Sequence, residues 1–111
     1  MARDSLGEVE HLLLLAVVRL AGNAYGVTIR QEIETQTGRE LAVGALYLAL
    51  DRLERKGFVR STFSAPTAER GGRSRRQYRL TPIGAAALKR SRQRLLRMWD
   101  GVPADLRSVR S

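Results

Sequence analysis

VGALYLALDRLERKG, residues Val43 to Gly57, is the stretch that decides the fold of this chain. Leu46, Leu50 and Leu53 recur at i, i+4 and i+7, so they share one side of a predicted helix. The opposite side carries small residues and one leucine near its start and two arginines further along: Ala45, Leu48, Arg52 and Arg55. This outward face indicates a helix that lies close against a polyanion.

The composition restricts the kind of protein. A chain of 111 residues predicts one small domain. It has no cysteine and one histidine, His11, so we expect no disulfide, no metal site and no cofactor, with His11 at a helix surface or an interface. No Ser-His-acid set or phosphate-binding glycine loop is present, so we expect no enzymatic activity.

The same composition gives no sign of a membrane protein. The longest apolar run, residues 12–18, is far shorter than the roughly 20 residues needed to span a bilayer. No basic segment with a cleavage site precedes it, so we expect no signal peptide and a cytoplasmic location.

Positive charge is concentrated after Gly57. Residues 1–57 hold 7 Lys/Arg against 8 Asp/Glu, whereas residues 58–111 hold 13 against 3. Only Lys56 and Lys89 among the 20 basic residues are lysines. Because the planar guanidinium of arginine favours bidentate contacts to phosphate and guanine, we expect a polyanionic partner, with nucleic acid ahead of an acidic membrane surface.

Two helices are predicted upstream of the opening stretch. The first starts at a capping box, Ser5 to Glu8, and ends at Gly22. Its apolar stripe is wide, which indicates either burial on two sides or contact of one side with a second subunit. The second extends from about Tyr25 to Thr37, and Gly38 ends it.

A basic hairpin is predicted after Gly57, and we call residues 58–80 the wing. Residues 58–63 and 75–80 alternate as strands do, and the Gly, Pro and Ser content of residues 64–74 predicts a long loop. Residues 69–79 contain five arginines and one glutamate. Either one or two of these five arginines insert into a DNA minor groove, or the loop is solvated and mobile.

A last helix is predicted from Thr81-Pro82 to about Asp100. Leu88, Leu95 and Val102 are seven residues apart, as in a partial heptad seam. We therefore predict a homodimer whose interface includes Leu12, Leu15, Leu88, Leu95, Met98 and Trp99. Trp99 has two interpretations: a dimer contact, or, with Leu95, a wall for a small aromatic effector.

The order helix, helix, helix, strand, basic loop, strand, helix predicts a mostly helical α+β fold, a winged helix-turn-helix with an added C-terminal dimerisation helix. Residues 1–81 form the DNA-binding region, residues 82–103 the dimerisation helix and residues 104–111 a flexible tail. We expect double-stranded DNA as the partner. The predicted DNA contacts are Tyr25, Gly44, Ala45, Tyr47, Leu48, Arg52, Arg55, Arg73, Arg75 and Arg76.

Each group of these residues suits a particular kind of contact with DNA. Gly44 and Ala45 let the backbone approach a major groove, and Leu48 can touch a thymine methyl. Arg52 and Arg55 can bind phosphate or guanine, with Asp51 expected to orient Arg55 at i, i+4. The hydroxyl of Tyr47 can bind a phosphate. The alternative is an amphipathic core helix whose outer face has no function.

Three segments resemble motifs of the PadR family of bacterial transcriptional regulators: Tyr25-Gly26, residues 44–57 from Gly44-Ala45-Leu46-Tyr47 onward, and Gly71-Gly72-Arg73 through Thr81. The resemblance implies a winged-helix dimer, held by its first and last helices, that binds a palindromic operator, usually as a repressor. It also implies the short-tailed branch with one C-terminal helix, and a phenolic or drug-like effector in some members. Ala42, Ala45 and Leu48 depart from the family's serine, threonine and proline.

Two further classes of function stay open at this level. One is a winged-helix module that binds protein or RNA without operator specificity. The other is a small-molecule sensor with weak DNA binding.

Overall fold

A computed structural model describes residues 5–63 and 75–106 of the chain. Four helices and two strands follow one another as α1 (Glu8–Leu20), α2 (Gly26–Thr37), α3 (Val43–Arg55), β1 (Val59–Phe63), β2 (Arg76–Leu80) and α4 (Pro82–Trp99). The strands pair antiparallel, with Val59 opposite Leu80 and Phe63 opposite Arg76. The predicted winged helix-turn-helix order is confirmed.

The hydrophobic core lies where α1 meets α2, α3, β2 and α4. Leu46, Leu50 and Leu53 of α3 are all buried, as the helical spacing predicted. Phe58 and Tyr78 bring the two aromatic side chains of the core from the wing. The wing is therefore part of the folded domain at its base and not an appendage.

The start of α1 differs from the prediction. The N-cap is Gly7, and the carboxylate of Glu10, not of Glu8, accepts a hydrogen bond from the capping residue's backbone N–H at 3.1 Å. Glu8 instead forms an ion pair with Arg39. The predicted capping box at Ser5 is wrong because the buried Glu10 serves both the cap and a tertiary ion pair.

The start of α4 matches the prediction. The hydroxyl of Thr81 accepts a hydrogen bond from the N–H of Gly84 at 3.0 Å, and Pro82 occupies the first helical position. The same hydroxyl donates to the carbonyl of Gly57 at 2.6 Å, and the Thr81 N–H donates to the carbonyl of Phe58 at 3.1 Å. These bonds tie the last helix to the start of the wing.

Gly84 is required for this close approach. A Cβ at this position would lie 2.1 Å from the carbonyl oxygen of Phe58, a backbone atom that cannot move aside. Gly84→Ala should therefore lower the free energy of unfolding by about 1–3 kcal/mol, as overpacking does. Urea unfolding measures the loss.

Gly44→Ala is the matched control for that substitution. Apart from the backbone of its own helix and its two chain neighbours, no atom of the described residues lies within 4 Å of a Cβ built at Gly44, which is also helical. Alanine should be neutral there or stabilise α3 by up to about 1 kcal/mol. Equal unfolding midpoints for the two variants would contradict the packing argument at Gly84.

Within the described ranges, no helix is both long and apolar enough to cross a membrane. The same residues contain no group of three or more His, Asp or Glu side chains that could hold a metal ion.

Candidate nucleic-acid interface

The outward face of α3 is uncovered. The exposed residues of this face are Gly44, Ala45, Leu48 and Arg55, and Leu48 is 66% exposed although it is apolar. The core leucines occupy the opposite side of the same helix. An exposed aliphatic group beside small residues and an arginine matches the chemistry of a major-groove surface.

Tyr25, Gly26, Tyr47 and Arg75 meet at one edge of this face. The Tyr47 phenol lies so close to Gly26 that a Cβ there would fall 2.0 Å from the Tyr47 hydroxyl oxygen. The guanidinium of Arg75 stacks on the ring of Tyr25, 3.8 Å from its centroid. One surface thus contains predicted DNA contacts from the start of α2, from the base of the wing and from α3, the predicted recognition helix.

The base of the wing is attached to the segment before α2. Tyr25 forms an isolated bridge with Gln77, and the N–H of Tyr78 donates to the carbonyl of Ala24 at 2.8 Å. The side-chain amide of Gln77 also donates to the carbonyl of Gly22. This third extended segment sets where β2 lies relative to α2, and it places Arg75 over Tyr25.

Arg52 lies on the flank of α3 that faces α1. Its Nε is 3.4 Å from Oε2 of Glu10, and the ammonium of Lys56 is 3.2 Å from the same oxygen. Among the described residues Glu10 is the only buried charged one. The Arg52 side chain is half exposed and is restrained by its ion pair with Glu10. Its DNA contact stays a prediction.

Arg76 contacts α3. Its Nη2 donates to Oε1 of Glu54 at 2.5 Å, its Nε to the hydroxyl of Ser61 at 2.9 Å, and its Nη1 lies 3.5 Å from Oδ1 of Asp51. The predicted pair between Asp51 and Arg55 is wrong, because within the described residues the Asp51 carboxylate pairs with Arg76. The DNA contact of Arg76 stays a prediction.

The environment of Glu54 favours its charged form. Burial raises the pKa of Glu54, but hydrogen bonds from Ser61 and the charge of Arg76 more than offset this, so the pKa lies below its ordinary value. The resulting stability is present above the pKa of an unfolded glutamate and is lost as the pH falls through the folded value. At neutral pH the carboxylate is therefore a lasting partner for Arg76.

The predicted interface residues fall into two groups. Leu12 and Leu88 are partly buried against the core of their own protomer, whereas Leu15, Leu95, Met98 and Trp99 are exposed. Leu12, Leu15 and Leu95 line a groove of about 620 Å³ between α1 and α4, which also contains His11. Trp99 lies outside that groove, in a shallow hollow with Leu96.

His11 connects the two helices of this groove. Its Nδ1 is 2.7 Å from the hydroxyl of Ser91 on α4, and burial lowers the pKa of the imidazole. His11 thus lies at a contact of α1 with α4 within one protomer, and its predicted helix-surface or interface position stays a prediction. Arg73 lies outside the described residues, so nothing is added to its prediction.

A three-helix core, a two-stranded wing and an uncovered third helix define the winged helix-turn-helix class. Residues 14–90 match the Transcriptional regulator PadR-like family. The chain belongs to this family, whose members are DNA-binding transcriptional regulators and not enzymes. A comparison with curated protein sequences finds no significant match.

Solved structures show the same fold. A transcriptional regulator from Clostridium thermocellum has a TM-score of 0.71 at 24% identity, covering 83% of this chain and 84% of that one. A PadR-like transcriptional regulator from Bacillus cereus has a TM-score of 0.70 at 19% identity, with coverage of 85% and 86%. A PadR family transcriptional regulator from Eggerthella lenta has a TM-score of 0.66 at 25% identity, with coverage of 82% and 77%.

Proposed function

We propose that this protein is a cytoplasmic homodimeric repressor that binds a pseudo-palindromic operator. The observation that carries the proposal is the uncovered face of α3, bordered by the start of α2 and the base of the wing. In winged-helix proteins this arrangement inserts the third helix into a major groove. Two such helices in a symmetric dimer would occupy half-sites about 34–36 Å apart.

The exposed end of α4 supports the dimer. Ala87, Leu88 and Ser91 in the first part of the helix lie against the core or α1 of the same protomer. Leu95 and Met98 continue that side of the helix by its spacing and are 54% and 78% exposed. An apolar face that is buried in one half of a helix and exposed in the other fits association with a second copy.

Selection of bound sequences from a random duplex pool tests the operator. The enriched sequences should contain an inverted repeat with half-site centres about 10–10.5 base pairs apart. A single unrepeated motif would contradict the symmetric dimer. Structured RNA that competes at matched salt as well as the selected duplex does would support the RNA-binding alternative instead.

The same selection tests which residues discriminate bases. Leu48→Ala and Arg52→Ala should each change the preferred sequence at one position per half-site, at a cost of about 1–3 kcal/mol for the wild-type site. Gln93→Ala, an exposed change on α4, is the control and should select the wild-type sequence. An unchanged preference in the Leu48 and Arg52 variants would remove both from the specificity surface.

A small aromatic effector is part of the same proposal. The half-exposed Trp99, in its shallow hollow with Leu96, is the surface that supports it. Phenolic compounds titrated against the intrinsic fluorescence should quench Trp99, the only tryptophan, and release the selected duplex. Quenching without release of DNA would contradict an effector role.

A further inference from the structure

The Arg76 side chain forms a closed polar cluster with α3 and β1. Each of its three guanidinium nitrogens has a described partner: Ser61 for Nε, Glu54 for Nη2 and Asp51 for Nη1. The other carboxylate oxygen of Glu54 accepts from the backbone N–H of Ser61 at 3.3 Å and from its hydroxyl at 2.8 Å. A single arginine of the wing is thus connected to the recognition helix and to the facing strand.

Neighbouring arginines of the wing have different surroundings. Arg75 is stacked on Tyr25 at the edge of the candidate DNA surface. Arg76 is directed at two carboxylates, and its side chain is only about one-third exposed. To bind a phosphate, the Arg76 guanidinium would have to break its ion pairs with these carboxylates. The free energy lost with those pairs would offset much of the free energy gained from the phosphate contact.

We propose that Arg76 is a positioning residue that holds the wing against the recognition helix, with Glu54 as its required partner, and is not a DNA contact. The inference rests on the proposed DNA-binding function. It assigns a role in DNA binding to an acidic residue, Glu54, that sequence reasoning left without one. It also changes the role expected for Arg76 from the basic pattern of the wing.

Glu54→Gln gives opposite expectations for the two roles. Removing a negative charge near a polyanion should by itself strengthen DNA binding. If Glu54 positions the wing through Arg76, the same substitution should weaken binding despite the gain in net charge. The direction of the change therefore separates positioning from simple electrostatics.

The experiment measures affinity for the selected duplex at fixed salt. Glu54→Gln and Arg76→Gln should each weaken binding about tenfold, and the double variant should lie within about twofold of either single variant. Arg76→Lys should behave like Arg76→Gln, because a lysine keeps the charge but cannot bridge Ser61 and Glu54. Arg79→Gln is the matched charge control, from the opposite face of β2, and its effect should add to that of Glu54→Gln.

Two results would overturn the proposal. Tighter binding by Glu54→Gln would show that Glu54 acts only through its charge. Nearly normal binding by Arg76→Lys would show that Arg76 serves as a phosphate contact.

Amide hydrogen exchange of the DNA-free protein keeps the inference separate from the proposed function. Glu54→Gln and Arg76→Gln should accelerate exchange at Ser61 and along the paired strands by about tenfold, whereas Arg79→Gln should not. If the wild type bound no duplex, the proposed function would fail, and the positioning role would then be tested by the amide exchange rates alone. Unchanged exchange in both variants would then refute it.

Discussion

Leu95→Asp should convert the proposed dimer into monomers and weaken binding to the two-half-site operator by about 10²–10⁴-fold. Leu95 is 54% exposed and lines the groove between α1 and α4, where it continues the side of α4 that packs on the core. A carboxylate buried there without a partner carries a desolvation cost that the interface cannot compensate. A monomer would also lose the second half-site, which a dimer binds at high effective concentration.

Sedimentation equilibrium and binding to duplexes with one or two half-sites measure the two effects. The monomer should bind a single half-site with the affinity that one wild-type protomer has for it. Ile83→Asp is the matched control, because Ile83 is 60% exposed on the first turn of the same helix, where an acidic residue is favourable. A Leu95→Asp protein that sediments as a dimer would refute the seam.

Affinity for the operator should fall about 10³–10⁵-fold between 50 and 200 mM salt, provided that the dimer neutralises roughly 6–10 phosphates. The physical reason is the release of counterions from DNA, and the 13 basic residues after Gly57 supply the charge. Fluorescence anisotropy across a salt series gives the slope. A salt-independent binding constant would count against a DNA-binding function altogether.

Single substitutions show which residues contribute to the dependence of affinity on salt. Arg75→Ala should reduce its magnitude by about one for each phosphate contact that is lost, and uniformly across sequences. Arg19 is the control, since it lies at the end of α1 and is paired with Glu32 at 2.7 Å. Arg19→Ala should leave the slope as in the wild type.

Local patterns predicted the elements well because their signals are short-range. The leucine spacing of α3 and the Thr81-Pro82 start of α4 each depend on residues within a few positions. The strands of the wing were predicted in the same way, from the alternation of residues 58–63 and 75–80.

The ion pairs of the candidate site could not be predicted in this way. The pair of Arg76 with Glu54 spans 22 residues, and that of Lys56 with Glu10 spans 46. Strand alternation places Arg75 and Arg76 on opposite faces of β2, but it does not reveal that Arg76 contacts two carboxylates of α3 or that Arg75 stacks on Tyr25. Partners of this kind depend on how helices and strands pack, which the local pattern does not contain.

The same limit explains the error at the start of α1. Ser5 with Glu8 and Gly7 with Glu10 are both spaced for an N-terminal cap. The structure uses the second pair because Glu10 also contacts Lys56 and Arg52 of the recognition-helix segment. The tertiary contact of Glu10 therefore outweighs the stronger local signal at Ser5, since Gly7 has no side chain with which to cap the helix.

The continuity of α4 limits which insertions into this helix the proposed dimer can tolerate. The helix is unbroken from Pro82 to Trp99, so the half that packs on its own core and the half proposed to join the subunits turn as one rigid rod. Inserting one residue after Ser91 would rotate the outer half by about 100° and remove its apolar side from the partner, while leaving α3 intact. Inserting about one full turn would bring the apolar side back to the partner and lengthen the helix by about 5 Å in each protomer. In the proposed dimer, the part of α4 beyond Ser91 can therefore change in length only by whole helical turns.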